Sequence, residues 1–309
     1  MRIAFAKTLA ELAARDPRIL LLTGDLGYMA LDAFADRFPD RFINVGVAEQ
    51  NLVGLATGLA EAGYVPFVYS IVPFVVLRPY EFIRNGAVQH QLKVRIVGIG
   101  GGFEYGTNGL SHYGLEDVGV LRMQPGMSIF APADFTQASA ILQATWDRPG
   151  PAYYRLGKDD KTTVPGLDGR FELGRIQLLC AGSDVFFFTM GNVIHEVIEA
   201  VARLSAHGVS AGIGCIASIN PPPAGDILQI LGCCRVAVTV EAHYATGGIG
   251  SLVAETMAGR KTGCRLVRCG VENPMDGVSG STRYLYDRHR LSGEALVRAA
   301  LTALQEGKS

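Results

Sequence analysis

Three stretches of the chain hold side chains in settings that suit proton transfer or the seating of a flat ring. In "FINVGVAEQNLVGLATG" (residues 42–58), Glu49 stands between an apolar, strand-like run and a smooth helical pattern. No basic residue lies within nine positions on its C-terminal side, and upstream only Arg41 is near. Such surroundings predict a largely buried acid. Burial disfavours the charge and raises a carboxyl pKa, whereas a helix N-terminus works the other way. A buried acid with a tuned proton affinity suits a proton shuttle; the plainer alternative is an idle acid in a first helical turn, favoured by the dipole alone. In "VPFVYSIVPFVVLRPYEFIRN" (65–85), a strand hands over to a helix whose start is kinked by prolines. Ile71 and Phe74 lie at that handover, where open α/β sheets bind ligands. They are either core hydrophobes or an apolar shelf for a ring. The third stretch, "GGFEYGTNGLSHYGLED" (101–117), is a long glycine-rich segment carrying His112. Loops of this length in a compact domain tend to serve function, but no Ser-His-Asp or Cys-His pattern marks His112 as a nucleophile's base.

These residues need elements to hold them. The runs "RILLLTG", "RFINVG", "VPFVYS", "VRIVGIG", "MSIFAP" and "AYYRL" read as buried strands, with helical patterns over 48–62, 78–90 and 134–147. Strands alternating with helices imply an α/β layer fold with a largely parallel sheet and ligand sites at the strands' carboxyl ends. From about 157 to 175 the text turns polar and rich in Gly and Asp, which suits a linker. A second α/β set follows: "VFFFTM", a helix near 192–206, "SAGIGCI", "RVAVTVE", a helix after "TGGIG", "CRLVRC" and a closing helix near 292–305. The glycine clusters "GIGGGFEYG" and "TGGIGS" fit neither GxGxxG nor a phosphate loop. They read as turns or close backbone approaches.

Composition narrows the class. The 309 residues are 49% hydrophobic and 18% charged, with a net charge of -1, enough for two domains with cores of their own. Near-neutrality and the lack of a long basic run exclude an electrostatic nucleic-acid binder. The stretch "VPFVYSIVPFVVL" is too short to span a bilayer, and the N-terminus has neither signal nor transit character. Six cysteines between Cys180 and Cys269 show no ligand spacing, so they read as reduced core residues of a cytoplasmic protein, with disulfides or a metal as the lesser alternative.

Taken in order, these motifs resemble the transketolase family, specifically the C-terminal half that some split transketolases encode as a separate subunit. "VGVAEQN" is similar to the family's glutamate motif and "RPYEFIRN" to its RA(F/Y)DQIRN helix. "YGTNGLSH" is similar to its GEDGxxH loop, "PADF" to PADA, and "TVEAHYATGGIG" to TVEEHxxxGGLG. The resemblance implies a pyrimidine-binding thiamine diphosphate domain over 1–165, a linker over 166–180 and a smaller transketolase C-terminal α/β domain over 181–309. It implies that Glu49 bonds N1′ of the cofactor's aminopyrimidine and so promotes loss of the C2 proton. Phe74 would stack on that ring, Ile71 would replace a second aromatic, Asp25 would lie near the cofactor, and His112 would contact the donor's reacting oxygens.

The same resemblance implies an incomplete site. The family holds the cofactor's diphosphate through Mg²⁺ or another divalent cation, bound by a GDG triplet and a later Asn; this chain has no GDG triplet. A partner subunit carrying that motif is implied, in an α2β2 assembly, with catalysis only in the complex. Asn108 stands where sugar-phosphate transketolases carry an acid. Gly100, Lys158 and Met29 occupy the positions of a His, an Arg and a Ser that grip the acceptor phosphate, so Lys158 alone keeps a cation there, as a point charge rather than a fork. The expected reaction is transfer of a two-carbon ketol unit from a ketose to an aldehyde. Alternatives are the beta subunit of a 2-oxo acid dehydrogenase, a 1-deoxyxylulose 5-phosphate synthase-like enzyme, and a non-catalytic scaffold subunit. His243, in "VEAHYATGGIG", either approaches a neighbouring subunit or caps a strand.

Overall fold

The computed structural model describes residues 1–273 and 277–306. In the first half, helix α1 (Arg2–Ala13) precedes strand β1 (Ile19–Thr23), and α2 (Asp32–Arg37) precedes β2 (Phe42–Asn44). Next come α3 (Glu49–Glu61), β3 (Val65–Ile71), α4 (Val72–Val76), α5 (Tyr80–Phe82) and β4 (Arg95–Ile99). The half closes with α6 (Asp117–Arg122), β5 (Ser128–Phe130), α7 (Phe135–Thr145) and β6 (Ala152–Leu156). Strands β1, β4, β5 and β6 are buried along their whole length. Their uninterrupted apolar character is what helices on both sheet faces demand.

The second half contains β7 (Gln177–Cys180), β8 (Val185–Thr189), α8 (Ile194–Ala206), β9 (Ala211–Cys215), β10 (Ser218–Asn220) and α9 (Ala224–Leu231). It ends with β11 (Val236–Tyr244), α10 (Ile249–Met257), β12 (Arg265–Val271), α11 (Thr282–Arg288) and α12 (Gly293–Glu306). The expected two-part α/β architecture is present: a seven-stranded sheet ordered β10-β5-β6-β4-β3-β1-β2 and a five-stranded one ordered β12-β11-β8-β9-β7. Pairing is parallel except at β10 and β7, each antiparallel to its neighbour.

Three expectations need correction. Residues 177–180, read as the end of the linker 166–180, form β7 and pair with β9, so the second sheet begins before residue 181. Strand β10 comes from the second half of the chain yet completes the first sheet, with Ser218 opposite Phe130. The helix expected over 78–90 begins at Tyr80 and changes type along its length. Pro79 cannot donate a backbone hydrogen bond; α4 ends at Val76, α5 begins at Tyr80, and Ile83–Val88 continues α5 as a π-turn. Arg78 falls in the gap.

Polar contacts bind the two halves. Arg155 on β6 pairs with Asp117 on α6 (2.8 Å) and donates to the carbonyl of Ala242 on β11 (2.9 Å). His243 is buried; Nδ1 lies 2.7 Å from the Tyr244 carbonyl and Nε2 accepts the Gly119 amide at 3.2 Å. It thus joins β11 to α6 within the chain. All six cysteines are free thiols, but Cys233 is exposed rather than a core residue. Among the described residues no helix is long and apolar enough to cross a membrane.

Candidate active site

At the carboxyl end of the first sheet, four connections bring together residues that are far apart in sequence. Strand β2 ends at Asn44, and Gly46 turns with φ +74° before the first residue of α3. That residue is Glu49, only 3% exposed. Its Oε2 accepts a 2.9 Å hydrogen bond from Arg78 Nη1, an ion pair joining a buried acid to a half-exposed base. The sequence-based picture of an acid without a basic neighbour is therefore corrected: the partner comes from the break between α4 and α5. Glu49 Oε1 faces Gly24 at the end of β1, where a Cβ would stand 3.7 Å from it.

Phe74 projects from α4 at the end of β3. Arg78 Cζ lies 3.9 Å from its ring centroid, and the His112 ring stands edge-on at 5.0 Å. His112 ends the second of two short 3-10 turns, Gly106–Asn108 and Leu110–His112, and its Nδ1 lies 3.0 Å from the Ser111 hydroxyl. Burial, and secondarily the charge of Arg78, hold the His112 pKa below its ordinary 6.5. Tyr105 packs 5.9 Å from His112 and carries Lys158 Nζ over its ring at 4.1 Å. A contact series thus runs Glu49, Arg78, Phe74, His112, Tyr105, Lys158.

The other predicted residues sit around this series. Asp25, exposed and in the left-handed region at φ +59°, is locked to Asn44 by two 3.0 Å hydrogen bonds. It follows Gly24 and so borders Glu49. Ile71 is half-buried and caps α4 with extended backbone. Lys158 is half-buried and turned inward, its Nζ 3.3 Å from the Glu104 carbonyl. Asn108 is exposed, and among the described residues no contact of its side chain ties it to the series. Two members, Arg78 and Tyr105, escaped the sequence reading. Arg78 carried a signal only in being the first basic residue after Glu49. Tyr105 carried none beyond its place in the glycine-rich loop. Among the described residues no group of three or more His, Cys, Asp or Glu side chains is placed to hold a metal ion.

Two domain families cover most of the chain: the transketolase pyrimidine-binding domain matches residues 1–162 and the transketolase C-terminal domain residues 174–296. The chain belongs to the transketolase family. It is 32% identical over 305 residues to one of the subunits of the apulose-4-phosphate transketolase of Phocaeicola vulgatus, covering 97% of this chain and 96% of that one. A 1-deoxy-D-xylulose-5-phosphate synthase of Halothermothrix orenii is 30% identical over 98% of this chain, which spans 48% of that relative's length. Among solved structures, a split gene transketolase described as an inactive beta4 tetramer superposes with a TM-score of 0.87 at 33% identity, covering 98% of this chain and 97% of the other. The transketolase match of the two domains agrees with the fold and family expected from the motifs.

Proposed function

We propose that this transketolase-family chain is the pyrimidine-binding subunit of a split, thiamine diphosphate-dependent transketolase. It would move a two-carbon ketol unit from a ketose to an aldehyde, and only together with a partner subunit that holds the diphosphate through Mg²⁺. The observation that carries this reading is Glu49: a carboxylate with 3% exposure at the head of α3, facing the Phe74 ring across Arg78. That donor set fits an aminopyrimidine, which needs one acid on a ring nitrogen and one aromatic face. When bound, thiamine diphosphate supplies the carbon nucleophile that carries the ketol unit.

In this reading Glu49 holds or shares a proton at the ring nitrogen, in surroundings dry enough for the bond to keep its strength. Phe74 fixes the ring's plane, with Ile71 beside it at the strand end. Asp25, anchored by Asn44, sets the rim next to Glu49. His112, held neutral, is placed to accept or give a proton at a donor hydroxyl. Asn108 and Lys158 border the substrate side. Because Lys158 is engaged by Glu104 and Tyr105, an acceptor phosphate would draw its main grip from elsewhere, the partner included. The absence of a GDG triplet from the sequence and the description of the similar beta4 tetramer as inactive both support dependence on a second chain. An α2β2 assembly in the cytoplasm, acting in carbohydrate metabolism, fits the same reading.

Reconstitution tests it. The chain is combined with a partner carrying the GDG and Asn motif, then assayed with thiamine diphosphate, Mg²⁺ and either hydroxypyruvate or a ketose as donor. Ketol transfer is expected in the complex and not in the single chain. Glu49→Gln should lower the rate by roughly a hundredfold or more, a usual scale for loss of a proton-transfer group, with melting temperature unchanged. Turnover by the single chain, or a fully active Glu49→Gln complex, would overturn the reading. The synthase-like relative supports a second reading, in which pyruvate replaces the ketose donor. Pyruvate consumption without ketol transfer would select it.

A further inference from the structure

The side chain of Arg78 already makes the two contacts that the proposed ring would require. Nη1 lies 2.9 Å from Glu49 Oε2, and Cζ lies 3.9 Å from the Phe74 ring centroid. A planar aminopyrimidine seated between the same acid and the same aromatic face would need that volume, so the two occupants exclude each other. Little else restrains Arg78. Its side chain is 45% exposed, it stands in the non-helical break between α4 and α5, and its guanidinium bonds no other described residue.

We propose that Arg78 is a displaceable placeholder: in the isolated chain its guanidinium fills the ring's seat, and loading of the ring moves it off Glu49 to the mouth of the site. This rests on the cofactor reading given above. The physical logic is that a buried carboxylate left without a partner is costly, and an arginine, planar and stackable, satisfies both the acid and the aromatic face until a ligand replaces it. The chain then meets the ring with its seat taken, so the apparent affinity falls by the fraction of molecules in which the seat is free.

The test uses the full-length chain and the ring alone, 4-amino-5-hydroxymethyl-2-methylpyrimidine, a neutral probe that needs neither metal nor diphosphate domain. Binding is followed by calorimetry and by the His112 imidazole signal, at low and high salt. Arg78→Gln is expected to bind the probe about tenfold more tightly than the unmodified chain at low salt, the scale of one ion pair plus one cation–π contact. Arg78→Lys should fall between, and the gap should narrow as salt weakens the pair. Equal or weaker binding by Arg78→Gln, with binding still abolished by Glu49→Gln, would overturn the placeholder and leave the cofactor reading intact. Binding that ignores Glu49 in every variant would overturn both, and no binding by any variant would overturn the placeholder alone.

Discussion

Glu49 and Arg78 are separated by 29 residues and joined at 2.9 Å. One consequence of that contact reaches His112, whose imidazole stands edge-on to the Phe74 ring under Arg78. Both burial and the neighbouring cation disfavour a second proton on His112, and burial is the larger cause. Its titration, followed by NMR, should therefore have a midpoint below 6.5. In Arg78→Gln the midpoint should rise without reaching that value, since burial stays; an unmoved midpoint would rule out the electrostatic link. For stability, the unfolded chain binds more protons than the folded one between the lowered pKa and 6.5. The residue's contribution is thus present above 6.5 and lost as pH falls through the folded midpoint. Replacing His112 by Ala should slow ketol transfer in the complex while leaving the ring's affinity nearly unchanged, which separates a substrate contact from a cofactor one.

The loop over 100–116 acts as an element although it contains only two 3-10 turns. Gly102 and Gly114 exchange hydrogen bonds of 2.8 and 3.0 Å across its neck. At Gly100 the backbone has φ +78°, and a Cβ would stand 2.2 Å from Tyr105 Cδ2. Tyr105 in turn supports Lys158 on its ring and borders His112. Gly100→Ala should cost roughly 2–4 kcal/mol from the forbidden φ and the ring overlap together, measured by urea unfolding. It should also lower activity in the complex by displacing His112. A loss under about 0.5 kcal/mol, the usual range for a neutral surface change, would mean that the loop re-forms without this glycine. The break at 77–79 could be read from the chain, because Pro79 cannot supply the backbone donor a continuous helix needs there. The π-turn that follows could not, since its residues have the same propensities as an α-helix.

At the scale of the molecule, the two halves are less separable than a linker suggests. Strand β10 crosses into the first sheet, and one apolar core runs from Phe5 and Tyr69 through Val185 and Val240 to Leu296. At the junction, Arg155 and Asp117 are 5% and 1% exposed, and Tyr153 adds a 2.6 Å hydrogen bond to the same carboxylate oxygen. Breaking one side of a buried pair leaves an uncompensated charge, so Arg155→Met should destabilise by about 3–5 kcal/mol. The unmodified chain should unfold in one calorimetric transition and the variant in two, as the halves uncouple. Adding Asp117→Leu should recover part of the loss; no recovery would show that Arg155 acts instead through its 2.9 Å hydrogen bonds to the Gly114 and Ala242 carbonyls.

Local order along the chain was enough to determine the alternation of strands and helices, the buried setting of Glu49 and the ordered motifs of the transketolase family. Those features depend on apolar periodicity, prolines, glycines and short motifs, each contained within a few neighbouring residues. Tertiary structure decided what depends on distant segments meeting: Arg78 as the partner of Glu49, Lys158 folded onto Tyr105, β10 completing the other half's sheet, and His243 buried between β11 and α6. The reason is physical. Side-chain pairing and desolvation act over a few ångströms of space regardless of separation along the chain, so no window of sequence contains both members of such a contact.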